Sequence, residues 1–156
     1  MAHEIVTVCL PPDAHHALHS AVEAALAPFD MNGDHEPYQG EWDLWWLGRP
    51  GEEFAVLPGH EDDPRLVRAP LDAYGRPRHW TPGQCDGGPR RLLDFAGMRA
   101  RDARALVTDH LLTLDGAWGC PNTVPGPPGT GYSDFVDAYL DGLPPDVMVV
   151  HLRIHC

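Results

Sequence analysis

The chain has 156 residues, enough for one sizeable core, and reads as a single α+β domain over 1–156. Its 23 acidic residues against 11 basic ones give a formal net charge of -12, which argues against direct binding to nucleic acid or an anionic membrane and leaves room for a basic protein partner or an acidic surface that mimics DNA. No apolar run approaches the roughly 20 residues of a membrane span. Residues 1–4 show no basic-then-apolar leader, and Cys9, Cys85, Cys120 and Cys156 form no C-x-x-C pair, so the expectation is a cytoplasmic protein with reduced thiols.

Residues 4–10 (EIVTVCL) predict a strand, with Val6, Val8 and Leu10 on one face and Ile5, Thr7 and Cys9 on the other. Pro11-Pro12 stops it, and Asp13 is the expected N-cap of a helix over 14–27 with Leu18, Ala21, Val22, Ala25 and Leu26 as its apolar stripe. His15, His19 and Glu23 border that stripe at i, i+4, i+8. With His16, and with His35 or His60, they are candidate zinc or iron ligands, against the plainer reading of a solvated helix border.

After a loop over 28–40, the stretch 41–49 (EWDLWWLGR) holds three of the chain's five tryptophans. Strand alternation would place Trp42, Leu44 and Trp46 on one face and Asp43, Trp45 and Leu47 on the other. Arg49-Pro50-Gly51 then turns into a short strand over 53–57, which predicts a hairpin. Asp43 lies among indoles and needs a partner. It reads either as a structural acceptor for a Trp N–H or an Arg, or as a ligand-orienting carboxylate beside Trp45 and Arg49.

Residues 58–88 form a long Pro-, Gly-, Asp- and His-rich connection, and connections of that length are usually functional or mobile. At its end Gly87, Gly88 and Arg90 read either as a cradle for a phosphate or carboxylate or as a tight turn into a helix over 92–106. Cys85 is a candidate thiol nucleophile with His79 or His110 as base, or an inert loop thiol. A hairpin around Asp115-Gly116 joins 111–114 to 117–118, residues 121–131 are loop, and Ser133 caps a helix over 134–140 closed by Gly142.

The last strand, 147–155, gives Met148, Val150, Leu152 and Ile154 to an apolar face that should meet the helices. Its other face carries Val149, His151, Arg153 and His155. With the first strand alongside, Thr7 and Cys9 join that face. It is a candidate anion or metal site, with His151 and His155 as acid and base and Arg153 as anion holder, against an ordinary solvated face or a homodimer interface. The resulting architecture is an antiparallel-rich sheet with helices packed on one face, related to the split β-α-β (ferredoxin-like) arrangement, with long irregular loops.

Residues 42–49 (WDLWWLGR) and 85–99 (CDGGPRRLLDFAGMR) resemble an uncharacterised family of small actinobacterial and actinophage proteins. That family shows a W-D-x-W-x-[IL]-G-R strand, a G-G-P-[KR]-R start to a helix, a D-G-x-W turn and a C-terminal V-V-D-x-H strand. The turn recurs here as Asp115-Gly116-Ala117-Trp118 and the end as 149–155 (VVHLRIH). The absence of Lys and the presence of only two Ile fit a GC-rich source of that kind. The resemblance covers about half the chain in islands and implies weight on those positions, without an activity. Two departures stand out: Pro50 follows Gly48-Arg49 where the family continues G-G-R-W, and Arg90 replaces a Lys.

These observations support a pocket formed by the sheet face, the Trp strand and the Gly-Gly-Arg loop that binds a small anionic ligand. The alternative is an acidic, non-enzymatic interaction module of phage or mobile-element origin that presents Glu61, Asp62, Asp63, Asp137, Asp141 and Asp146 on one face. A histidine-based metal protein is the third reading.

Overall fold

A computed structural model describes residues 3–34, 36, 38–123 and 130–156. The fold is mixed α+β, built on a mostly antiparallel six-stranded sheet. Its path runs β2 (Leu44–Leu47), β8 (Met148–His155), β1 (His3–Leu10), β6 (His110–Leu112) and β7 (Trp118–Gly119); β5 (Gly87–Pro89) also pairs with β8. Short β3 (Phe54–Ala55) and β4 (Gln84–Cys85) make a separate two-stranded ladder. As the alternation of 4–10 and 147–155 predicts, β1 and β8 lie side by side, antiparallel, in register from His3↔His155 to Leu10↔Met148. β1 and β6 are parallel.

Helices cover both faces, where one was expected. Val6, Val8, Val150 and Leu152 pack with Val22 and Leu26 of α1 (Leu18–Leu26). Cys9, Leu111 and Val149, on the opposite face, pack with Val136 and Leu140 of α3 (Thr130–Gly142) and with Phe95 and Met98 of α2 (Phe95–Arg101). The reason is composition: near the β5 end of β8 both faces are apolar, and neither can be left to water at about 1.5–3 kcal/mol per large side chain. The polar residues of β8 begin only at His151, and there loop segments replace helices.

Several local expectations shift. The first helix opens as a 3-10 turn, Pro12–Ala17, with no side-chain cap, so Asp13 does not serve as one. The second helix shrinks to Phe95–Arg101, capped by Asp94, which accepts from the Gly97 N–H. The third begins at Thr130, ahead of Ser133. The hairpin between the Trp strand and 53–57 does not form. β2 pairs with β8 and β3 with β4, because β2 finds its backbone partners on the central strand. The hairpin at Asp115-Gly116 does form, pairing Leu111 with Gly119, and Gly116 takes a left-handed φ of 89°. Among the described residues no helix is long and apolar enough to cross a membrane.

Candidate functional site

The face of β8 that carries Val149, His151, Arg153 and His155 is covered unevenly along its length. Val149 lies in the core under α3. His151 is next and is sealed: its ring stacks on Phe54 at 3.9 Å between centroids, and its Nδ1 lies 2.7 Å from the Glu52 carbonyl. Burial pushes its pKa down to about 4, so it is neutral. Its Nε2 is buried without a partner. His151 therefore lines no open site, which corrects its expected acid–base role.

Arg153 follows, and the cover changes from apolar to polar. Its guanidinium lies 5.6 Å from the Trp46 ring centroid and 5.2 Å from that of Tyr74, and Nη2 donates to the Tyr74 hydroxyl at 3.1 Å. That contact and the Arg153 charge lower the Tyr74 pKa. Arg153 Nε is buried and has no acceptor. Here the surface opens into a groove of about 270 Å³ lined by Arg49, Pro50, Asp72, Tyr74, Arg76 and Arg153. Asp72 builds one wall: its Oδ1 accepts the backbone N–H groups of Tyr74 and Arg76, and its Oδ2 holds Arg76 Nε at 2.9 Å. Gly75, at φ 76°, allows the turn.

His155 ends the row. Its Nδ1 donates to Asp43 Oδ1 at 2.5 Å, and its ring lies 5.3 Å from that of His3, its register partner on β1. His3 is exposed, and desolvation by its neighbours, followed by the Arg153 charge, lowers its pKa. Asp43 thus takes neither a Trp N–H nor an Arg. The predicted alternation fails at a bend there: Trp42 turns to the α1 side, where its Nε1 donates to the Leu26 carbonyl.

Of the residues singled out as ligand-binding, Arg49 and Arg153 share the groove, and Asp43 stands beside His155. Trp45 does not join them. It is on the opposite sheet face, with its ring 4.9 Å from that of His19. Gly87 and Gly88 form no cradle; they are strand residues paired with Val150 and Val149. A Cβ on Gly87 would stand 2.4 Å from the Val149 carbonyl oxygen, so close backbone packing is what requires glycine there. Arg90 turns away and donates to the Leu140 and Asp141 carbonyls at the end of α3.

A buried ion pair lies between these regions and was not apparent in the sequence. Arg78 Nη1 stands 2.9 Å from Asp86, whose Oδ2 also accepts the Ala69 N–H. Burial pushes the Asp86 pKa up to about 6 against the pull of Arg78. Gly48, at φ 71°, leaves room for this carboxylate: a Cβ there would overlap Asp86 Oδ1. The two sequence motifs at 42–49 and 85–99 meet at this contact. The missing signal was Arg78, which sits in an aperiodic loop.

The other candidates resolve as follows. Cys85 is fully buried and its thiol is pushed up to about 12, so it is no nucleophile for His79 or His110. His110 is engaged by Trp118 Nε1 and Glu4. His19 pairs with Glu23, His15 lies 3.0 Å from the Pro12 carbonyl, and His35 is outside the described residues. Among the described residues no three His, Cys, Asp or Glu side chains converge as metal ligands. Of the acidic set, Asp63 and Asp146 pair with Arg65, Asp146 also with Arg91, and Asp137 and Asp141 with Arg99. Comparison of the chain with known protein families, with curated proteins and with solved structures finds no match.

Proposed function

We propose that the protein binds a small phosphate-type anion in the groove between Arg49, Arg76 and Arg153. The pairing of its arginines carries this reading. Arg65, Arg76, Arg78, Arg91 and Arg99 each hold a carboxylate. Arg68 and Arg90 donate to backbone carbonyls. Among the described residues Arg49, Arg101, Arg104 and Arg153 have no ion-pair partner, and of these Arg49 and Arg153 line this groove, in a chain where acidic residues outnumber basic ones 23 to 11. Two unneutralised guanidiniums and a third beside Asp72 leave the groove net positive inside an acidic molecule, which concentrates anions there. Arg153 lies within cation–π range of both the Trp46 and Tyr74 rings and donates to the Tyr74 hydroxyl, which restricts its guanidinium before an anion arrives, and guanidinium geometry suits a tetrahedral oxyanion. The small volume and the acidic remainder of the surface favour a small molecule over a polynucleotide.

Titration with inorganic phosphate, followed by calorimetry and by amide shifts, tests the proposal. Saturable binding should localise to Arg49, Tyr74 and Arg153, weaken at least tenfold in Arg153→Ala, and persist in Arg104→Ala, an exposed residue outside the groove. Absence of binding, or equal loss in both variants, overturns it.

A further inference from the structure

One wall of the groove belongs to a segment that stands apart from the core. Residues 70–77 carry Asp72, Tyr74 and Arg76, and none of the eight is buried. The segment is bonded to itself. Leu71 and Pro77 form a bridge, the Asp72 N–H donates to the Arg76 carbonyl, and the Arg78 N–H donates to the Pro70 carbonyl. The chain thus doubles back as a short hairpin with the Asp72 turn at its tip. The tip meets the sheet where Tyr74 receives Arg153.

The base of the hairpin is different. Ala69 is buried; its N–H donates to Asp86 Oδ2 and its carbonyl accepts from Trp80 Nε1. Arg78, its side chain 5% exposed, lies 4.2 Å from the Trp80 ring centroid and 2.9 Å from Asp86. Asp86 is fastened in turn to β8, because its carbonyl accepts the His151 N–H. Both ends of the hairpin therefore converge on one carboxylate. Resting on the anion-site reading above, we propose that residues 70–77 are a hinged flap forming one side of the anion groove and that the buried Arg78–Asp86 pair is the latch that holds it in the binding position.

A segment with no buried side chain has little local stability of its own and opens without unfolding the sheet. What keeps this one in place is its entry into the core, and there a charge pair out of water is the strongest attraction. With Asp86 neutral, Arg78 is a buried cation whose remaining ion-pair partner is Glu53, 3.7 Å from Nη2. An uncompensated guanidinium moves toward water, and Arg78 takes Pro77 and Arg76 with it. Tyr74 then leaves Arg153. Arg49 and Arg153 stay where β2 and β8 put them, so unlatching weakens anion binding without abolishing it. Arg78 and Asp86 are positioning residues of the site.

The groups around Asp86 are Arg78 from the flap, Glu53 from the segment before β3, Cys85 beside it on β4 and His151 on β8. Gly48, at the exit of β2, brings no side chain. Burial holds Asp86 at about 6, so the latch weakens as pH falls through that value, while the Cys85 thiol, at about 12, and His151, at about 4, stay neutral. Bare electrostatics has the opposite sign. Neutralising Asp86 removes a negative charge near a positive groove, and protonating His3 or His155 adds a positive one near Arg153; each of these alone tightens anion binding. Weaker binding on acidification therefore identifies the latch.

The probe is sulfate, a tetrahedral oxyanion whose charge does not change over the range used. Its affinity for the full chain is measured by calorimetry from about pH 7.5 to about pH 5 in wild type and in Asp86→Asn, with amide hydrogen exchange alongside. Asparagine has the shape of aspartate and keeps an acceptor for the Ala69 N–H, so the variant tests the charge. Wild-type affinity should fall about fivefold or more toward acid, and Asp86→Asn should bind at that weaker level throughout, a size typical of coupled sites. The Ala69 amide should exchange about fivefold faster or more in the variant, with the amides of β8 unchanged. Sulfate bound equally or more tightly in acid or by Asp86→Asn overturns the latch and leaves the anion site standing. Weaker binding with equally faster exchange along β8 marks a general loss of stability and also overturns it. No sulfate binding by the wild type overturns the anion site and the latch together.

Discussion

β8 presents two histidines on one face, four residues apart, and the fold gives them opposite fates. His151 lies under Phe54, uncharged, with one nitrogen on a carbonyl and the other sealed. His155 has a carboxylate on one nitrogen and stands beside an exposed histidine, two residues along the strand from Arg153. Residue type and strand period are the same at both positions. What differs is the partner each meets: an aromatic ring from β3 covers His151, whereas His155, itself only 9% exposed, meets the Asp43 carboxylate and the ring of exposed His3. A titratable side chain becomes a candidate for chemistry through its cover as much as through its identity.

The contrast can be broken most forcefully at the cover itself. Phe54→Ala removes a ring that is 1% exposed and uncovers His151; it should cost about 3–5 kcal/mol in denaturant unfolding and let His151 titrate closer to an ordinary imidazole by proton NMR. A retained stability and an unshifted His151 titration would show that the stacked ring is not what silences it.

Next in size is the response to acid. His151 falls from 6.5 to about 4 on folding, so the folded state refuses a proton that the unfolded chain accepts. The associated stability is whole above 6.5 and is lost as pH falls to about 4, roughly 3 kcal/mol in all. Asp86 acts in the other direction: burial raises it from 3.8 to about 6, so its contribution is whole below 3.8 and is lost as pH rises through 6. The two partly cancel in the wild type. His151→Phe leaves Asp86 in place and should therefore lose less stability than the wild type between pH 6.5 and 4 in parallel urea melts. Equal slopes would mean that His151 is protonated in the folded state.

The smallest expected effect sharpens the open end. Tyr74→Phe deletes the hydroxyl that receives Arg153 Nη2 but leaves a ring beside the guanidinium. Stability should change by less than about 1 kcal/mol, since Tyr74 is 68% exposed, while phosphate affinity falls two- to fivefold by calorimetry. An unchanged affinity would remove Tyr74 from the site.

Legibility in the sequence follows the length of unbroken pattern. β1 and β8 alternate over eight residues each, and their pairing and the shared face of Thr7, Cys9, His151 and Arg153 were readable from that. The two-faced cover was not, because alternation shows which residues are polar and not what lies above them. The hairpin was misread because Arg49-Pro50-Gly51 is a turn signal whether the chain returns alongside β2 or crosses over the sheet. Gly87 and Gly88 were misread for a related reason: a missing side chain serves a ligand cradle and a close strand crossing equally. Tyr74, Arg76, Arg78 and Asp86 escaped notice because they lie where no period exists and their partners come from turns.

The place of β8 in the sheet has a consequence for how the protein is made. This one strand pairs with β1, β2 and β5, and all three precede it in the chain. At a synthesis rate of about 5–20 residues per second, β1 leaves the ribosome on the order of ten seconds before its antiparallel neighbour exists. Through that interval Val6, Val8 and Leu10 have α1 and parallel β6 to lean on, and the rest of the sheet is three unjoined edges. Such edges invite pairing between nascent chains. Newly made protein should therefore depend on holding chaperones until the last strand is inserted, and refolding from denaturant should be slow and sensitive to concentration.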